Sequence, residues 1–269
     1  MKFQLKRLIT QISIFFSANL GAIGFKTGFC YPFFYCNACP AATSACPLRA
    51  IEKSVYDHSF TWKLFIYPFL ILGFFGVTTG RAICGWACPI GLLQRATGIV
   101  PRRLNKYSII QKVGQWKYEK YLRYIKYLNL IGLVIITPFI IKFTFTDICP
   151  VGILTGTFPI LALNPGKFVP SSFFWVAMVI FILFIILIFV VERGWCRYFC
   201  PIGAILAPFN KISIVHMSVD KKNCTHCNVC SNVCPMGIDV ADMDRDPECI
   251  ICGKCVDICP KNAIKLEKK

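Results

Sequence analysis

Four apolar runs occupy the first three quarters of the chain, near residues 8–25, 62–80, 127–145 and 172–191. A hydrocarbon core of about 30 Å needs roughly 20 helical residues, so the pattern predicts four membrane-spanning helices. The first run is interrupted by Asn19 and glycines, and the third carries Pro138. A membrane helix tolerates such a proline where neighbours cover the freed carbonyl. No signal-peptide cleavage pattern precedes the first run, which is therefore expected to stay as a helix. Beyond residue 210 the long runs stop and a short, cysteine-studded segment follows.

Composition and charge sharpen this picture. Of 269 residues, 56% are hydrophobic, which makes a membrane protein the default. The 30 basic and 13 acidic residues are unevenly spread: residues 211–269 hold nine and eight of them, leaving 21 and five in residues 1–210. Positive charge mixed with long apolar runs orients a chain in a bilayer and does not call for nucleic acid. Residues 81–126 carry ten basic side chains, whereas residues 147–171 carry only Lys167. Basic flanks stay inside, so a multi-pass protein of the cytoplasmic membrane with both termini cytoplasmic is expected. Residues 107–126 alternate aromatic and aliphatic side chains with lysines and Arg123, a pattern suited to a helix lying in the inner headgroup region.

The chemistry sits at the C-terminus. Two runs, Cys224-Thr-His-Cys227-Asn-Val-Cys230-Ser-Asn-Val-Cys234-Pro235 and Cys249-Ile-Ile-Cys252-Gly-Lys-Cys255-Val-Asp-Ile-Cys259-Pro260, share one spacing. Three thiolates of such a run wrap three iron corners of a cubane, and the fourth serves the other cluster. Cys224, Cys227, Cys230 and Cys259 are expected to hold one 4Fe-4S cluster, and Cys234, Cys249, Cys252 and Cys255 a second. The stretch resembles two-cluster bacterial ferredoxins. Zinc modules use four ligands in two pairs and do not show this reciprocal pattern.

An internal repeat adds a third set. Arg81-Ala-Ile-Cys84-Gly-Trp-Ala-Cys88-Pro89-Ile-Gly91 matches Arg193-Gly-Trp-Cys196-Arg-Tyr-Phe-Cys200-Pro201-Ile-Gly203, after the second and fourth runs. Parallel repeats of this kind place like elements about an axis along the membrane normal. Cys84, Cys88, Cys196 and Cys200 are therefore expected to bind a further cluster between the halves. Five of the 17 cysteines remain. Cys36, Cys39, Cys46 and Cys149 make a fourth candidate ligand set with Cys30 spare; disulfides or a redox-active pair are the other readings of these outer residues.

Absences narrow the chemistry. His58, His216 and His226 are the three histidines, and none lies in a predicted span, so a bis-histidine haem lacks ligands. There is no C-x-x-C-H for a covalent haem, and no G-x-G-x-x-G follows a strand.

The twin C-x3-C-P motifs, four predicted spans and paired ferredoxin motifs together resemble the membrane-bound polyferredoxins of the NapH type. That resemblance covers nearly the whole chain. It implies electron transfer between a quinone pool, with quinone as a candidate substrate, and a redox partner protein in a membrane complex. The cysteine-rich stretch from Cys30 to Cys46 departs from the plain pattern. The expected fold is thus membrane α-helical, four transmembrane helices in two pseudo-repeats (about 8–100 and 124–210, within 1–210), followed by an α+β two-cluster ferredoxin-like domain at 211–269. Two other functions stay open: a thiol-disulfide relay through Cys36 and Cys39, and an iron-sulfur redox sensor or assembly factor.

Overall fold

In the computed structural model, residues 2–18, 46–56, 62–98, 100, 119–158 and 174–268 are described. Helix α1 (Lys2–Ala18) is followed by α2 (Pro47–Tyr56), α3 (Trp62–Thr79), α4 (Ala82–Trp86) and α5 (Pro89–Thr97). Over the described residues the apolar runs do form helices. The expectation of four transmembrane helices is nevertheless overturned. Among the described residues, no helix is long and apolar enough to cross a membrane.

The reasons are local. Helix α1 and the helix Phe174–Val190 have 17 residues each, about 26 Å at 1.5 Å per residue, short of a hydrocarbon core of about 30 Å. Helix α3 has 18 residues with Pro68 inside it and Lys63 near its start. The third run is broken into Ile125–Asn129, a π-helical stretch Leu130–Ile136 and a short helix Thr137–Ile140. Pro138 brings no N–H to the ladder, and Thr137 Oγ1 donates to the Gly132 carbonyl at 2.6 Å, five residues back. Lys142, at φ 55, then ends the run. Glu192 and the left-handed Arg193 (φ 58) stop the fourth.

Helix α1 is amphipathic with its polar side inward. Arg7 and Gln11 are fully buried, while Leu5, Ile9, Ile12 and Phe16 face outward. Spacing of three to five residues puts Arg7 and Gln11 on one face, and both donate to the Gly85 carbonyl, at 2.7 and 2.9 Å. The outward apolar face continues on Leu70 and Phe74 of α3 and on Trp175, Val179 and Leu183 of the helix Phe174–Val190.

The two copies of the repeat fold alike. In each, a five-residue helix (α4, and Gly194–Tyr198) leads to an extended cysteine before a proline that opens the next helix (α5, and Pro201–Leu206). Cys88 lies at φ −65, ψ 122 and Cys200 at φ −70, ψ 110. A residue before proline is pushed into the extended region, and proline is favoured at the first helical position. Cys149 repeats the geometry a third time, at φ −65, ψ 120 before Pro150.

The C-terminal segment closes with an antiparallel pair, β1 (Val215–Val219) and β2 (Ile264–Lys268), in register Val215↔Lys268 to Val219↔Ile264. Between the strands lie two short helices, Val229–Asn232 and Lys254–Ile258, each entered through a left-handed residue, Asn228 (φ 55) and Gly253 (φ 70). This segment packs on the helical part. Asn210 Nδ2 donates to the Cys249 carbonyl at 2.6 Å, and its Oδ1 accepts from the Arg81 amide at 2.7 Å. The core is one apolar cluster that runs from Leu72 and Phe184 to Met217, Met236 and Ile264.

Candidate iron-sulfur sites

The two C-terminal cysteine runs form loops with one backbone design. Positive φ recurs at His226 and Asn228 in the first, and at Ile251 and Gly253, the same positions, in the second. Ile251 (φ 48) is β-branched, for which this conformation is an outlier; it persists because the surroundings over-determine it. Ile251 is buried, and its carbonyl accepts from Trp86 Nε1 at 2.9 Å.

Both loops wall cavities. One, of ≈ 350 Å³, is lined by Cys234, Cys249, Cys252 and Cys255 together with Met217, Met236 and Ile250. The other, also ≈ 350 Å³, is lined by Cys224, Cys227, Cys230 and Cys259 with Val219 and Ile264. Each cavity thus gathers three cysteines of one run and the last of the other. The cysteines of the second are the more exposed, Cys227 openly so, while Cys252 and Cys255 of the first are buried.

Cys84, Cys88, Cys196 and Cys200 are all buried and close enough for their charges to interact. Burial pushes the Cys88 thiol up to about 12, with charge on Cys196 and Cys84 adding to it. Burial likewise raises Cys200 well above its ordinary value, with Cys196 and Cys84 again adding. Burial thus favours the neutral thiol at Cys88 and Cys200. Local donors offset part of the cost: Gly203 N–H points to Cys200 Sγ at 3.3 Å, and Gln94 Nε2 to Cys196 Sγ at 3.3 Å.

Buried positive charge surrounds this set. Arg81 Nη2 donates to the Cys196 carbonyl at 3.3 Å, and Arg193 Nη1 to the Cys84 carbonyl at 3.0 Å. Arg81 also pairs with Glu248 at 2.8 Å, and Glu248 in turn with Lys126. Despite burial, Glu248 is held below the usual carboxylate range by Arg81 and Lys126. Burial lowers Lys126 to about 8, with Arg81 also lowering it and Glu248 opposing. Arg7 is lowered to about 9 by burial and then by Arg193. Buried cations in excess of carboxylates need an anion; a cubane with four thiolates is one. The residues therefore fit 4Fe-4S clusters.

Among the described residues, no three His, Cys, Asp or Glu side chains converge tightly enough for a single metal ion, and no two described cysteines are joined to each other by a disulfide. A cubane spreads its thiolates over four iron corners, wider than the donors of one ion. Of the outer set, Cys46 and Cys149 are buried in the same core cluster. Cys30, Cys36 and Cys39 lie outside the described residues. Near the first two, Glu52 is fully buried. Its Oε2 accepts from Thr146 Oγ1 at 2.6 Å, and its Oε1 has no partner. Burial raises Glu52 to about 7 against the hydrogen bonds from Thr146.

Arg81 and Arg193 stand three residues before the first cysteine of each repeat, so their equivalence was visible in the sequence. Arg7, Gln94, Glu52 and Glu248 carried no such signal; each acquires its role through contacts remote in the chain.

Thiols gathered four at a time on loops of this design define a ferredoxin-type iron-sulfur protein. A family model described as a 4Fe-4S binding domain matches residues 60–107 and again 173–219, one match on each copy of the repeat, and a 4Fe-4S dicluster domain matches residues 216–260. The chain belongs to the NapH-type polyferredoxin family. It is 26% identical to the ferredoxin-type protein NapH of Haemophilus influenzae over 83% of this chain and 75% of that one. Similarity to the methylamine utilization ferredoxin-type protein MauN of Methylorubrum extorquens is 28%, over 73% of this chain and 65% of that one. An uncharacterized protein of Methanocaldococcus jannaschii is 28% identical over 98% of this chain and 95% of its own. No solved structure matches the chain.

Proposed function

We propose that the chain is an electron-transfer subunit that passes single electrons between a donor, either a quinone or a cytoplasmic-side carrier, and a partner redox protein. Three cysteine sets would hold its 4Fe-4S clusters: Cys224, Cys227, Cys230 and Cys259; Cys234, Cys249, Cys252 and Cys255; and Cys84, Cys88, Cys196 and Cys200. Bound there, such clusters supply one-electron oxidation and reduction.

The observation that carries the reading is the absence of any side chain between the second and third sets at Gly85. A Cβ on Gly85 would collide with the Ile250 carbonyl and stand 3.8 Å from the Cys252 Cα. Gly85 neighbours Cys84, and Ile250 neighbours Cys249. Two cysteine sets are thus in backbone contact. Gln4 Nε2 at the Cys252 carbonyl (3.0 Å) and Trp86 Nε1 at the Ile251 carbonyl hold the two loops together. The solvent-facing set at Cys227 suits exchange with a soluble carrier, and the buried sets suit retention of the electron in a dry medium.

The division between a helical unit (1–210) and a ferredoxin unit (211–269) belongs to the same proposal. So does location at the cytoplasmic membrane, with both termini on the cytoplasmic side. The apolar belt through Phe16, Leu70, Phe74, Trp175 and Leu183 supports contact with lipid. Packing of Phe3 and Gln4 against Gly253, Cys252 and Asp257 supports placing the N-terminus beside the ferredoxin unit.

Iron and acid-labile sulfide per chain, measured on anaerobically purified protein with EPR of the reduced form, test the reading. About 12 irons are expected for three cubanes, and about 16 would add the outer cysteines as ligands. About eight would sink the third site.

A further inference from the structure

Arg81 and Arg193 occupy equivalent places in the repeat but not equivalent electrostatics. Both guanidiniums are buried, and each reaches a cysteine carbonyl of the opposite copy. Arg81 shares its charge with Glu248 at 2.8 Å. Arg193 donates to the carbonyls of Cys84 and Gly91, at 3.0 and 3.1 Å, and among the described residues has no carboxylate at ion-pair distance. Gly91 lets the guanidinium approach closely: a Cβ there would come within 3.3 Å of Arg193 Nη2.

A buried cation with only carbonyl acceptors is costly, several kcal/mol after relaxation, unless a negative group offsets it. The negative group available is the thiolate set itself, since Arg193 Nη1 holds the carbonyl of Cys84 at 3.0 Å. We infer that Arg193, which shares its charge with no described carboxylate, is a counter-charge that raises the reduction potential of the group held by Cys84, Cys88, Cys196 and Cys200, and that Glu248 offsets part of the same effect from Arg81. The inference rests on the proposed third site. Reduction adds one electron and so one negative charge to that group, and an unshared guanidinium favours the reduced state over the oxidised one. It is a positioning and electrostatic residue, not a ligand. Glu248 acts with the opposite sign, because removing its charge frees Arg81 to do what Arg193 already does.

The test is an EPR-monitored redox titration of the full chain with its clusters, comparing wild type, Arg193→Gln, Arg193→Lys and Glu248→Gln. Arg193→Gln is expected to make reduction of one signal at least tenfold less favourable, a fall of about 59 mV for one electron. Arg193→Lys recovers part of the shift, and Glu248→Gln moves the same signal upward. An Arg193→Gln protein with full iron and unchanged midpoints overturns the inference. If Arg193→Gln fails to load, Glu248→Gln decides: a midpoint that does not rise overturns it. About eight irons in the wild-type chain would instead overturn the third site on which the inference stands.

Discussion

Arg81 and Arg193 exchange partners across the repeat, the first donating to the Cys196 carbonyl at 3.3 Å and the second to the Cys84 carbonyl at 3.0 Å. Each half therefore fixes the loop that presents the other half's cysteines. A site built this way fails as a unit. Cys84→Ser and Cys196→Ser are each expected to lower iron by about four per chain, one cubane, whichever half is changed. Iron and sulfide assays on the two variants check this; a loss confined to one of them would show that the halves bind separately.

A second network ties the segment before the third helical run to the ferredoxin loops. Glu119 accepts from Arg197 at 3.0 Å and Arg123 at 3.1 Å, and Arg197 Nε donates to the Pro235 carbonyl at 3.1 Å, beside Cys234. Glu119 and Arg197 are buried, each with about a twelfth of its side chain exposed. Removing one member of a buried pair costs roughly 3–5 kcal/mol, because the partner's charge is left unmet. Glu119→Ala should accordingly lower the denaturation midpoint and speed iron loss to a chelator. Arg123→Ala, removing the more exposed partner, is expected to cost about 1 kcal/mol.

The cysteine runs and their loops were legible in the sequence because their spacing is local. Cys249, Cys252 and Cys255 lie on one tight loop, and Cys88-Pro89 and Cys200-Pro201 dictate their own backbone. Helical runs were legible for the same reason. Their lengths were not: hydropathy counts residues 127–145 as one span, whereas the structure breaks that stretch at the π-helical segment and at Lys142. Nor could spacing reveal that Arg7 and Gln11 of the first run point inward to Gly85. Side-chain direction on a helix depends on what it packs against, and Gly85 is more than 70 residues away in sequence.

The contact at Gly85 makes a sharp steric prediction. Any Cβ there meets the Ile250 carbonyl, which is backbone and cannot swing aside. Overpacking of this kind costs typically 1–3 kcal/mol. Gly85→Ala should lower the thermal midpoint and move the Cys249–Cys255 loop away from Cys84, while iron content is retained. Spin–spin broadening between reduced clusters in the EPR spectrum reads that separation directly. Broadening unchanged in Gly85→Ala would mean that the loops do not approach at this point.

Glu52 gives the last prediction, a dependence of stability on pH. Its carboxyl is buried, with Oε1 unpartnered; burial raises it to about 7 from an ordinary 4.5. Of the charges that act on it, Asp147 pushes in the same direction and Arg49 opposes. The folded protein therefore holds a proton that the unfolded chain has already released above pH 4.5. Stability from this group is complete below that value, falls as pH rises, and is gone above about 7, where the burden approaches roughly 3 kcal/mol. Glu52→Gln keeps the shape and removes the charge. Its thermal midpoint should match wild type most closely below about pH 4.5, exceed it by a growing margin between about pH 4.5 and 7, and hold a constant margin above that. Thermal melts of the two proteins across that range test it; parallel curves would mean that Glu52 is not the buried titrating group.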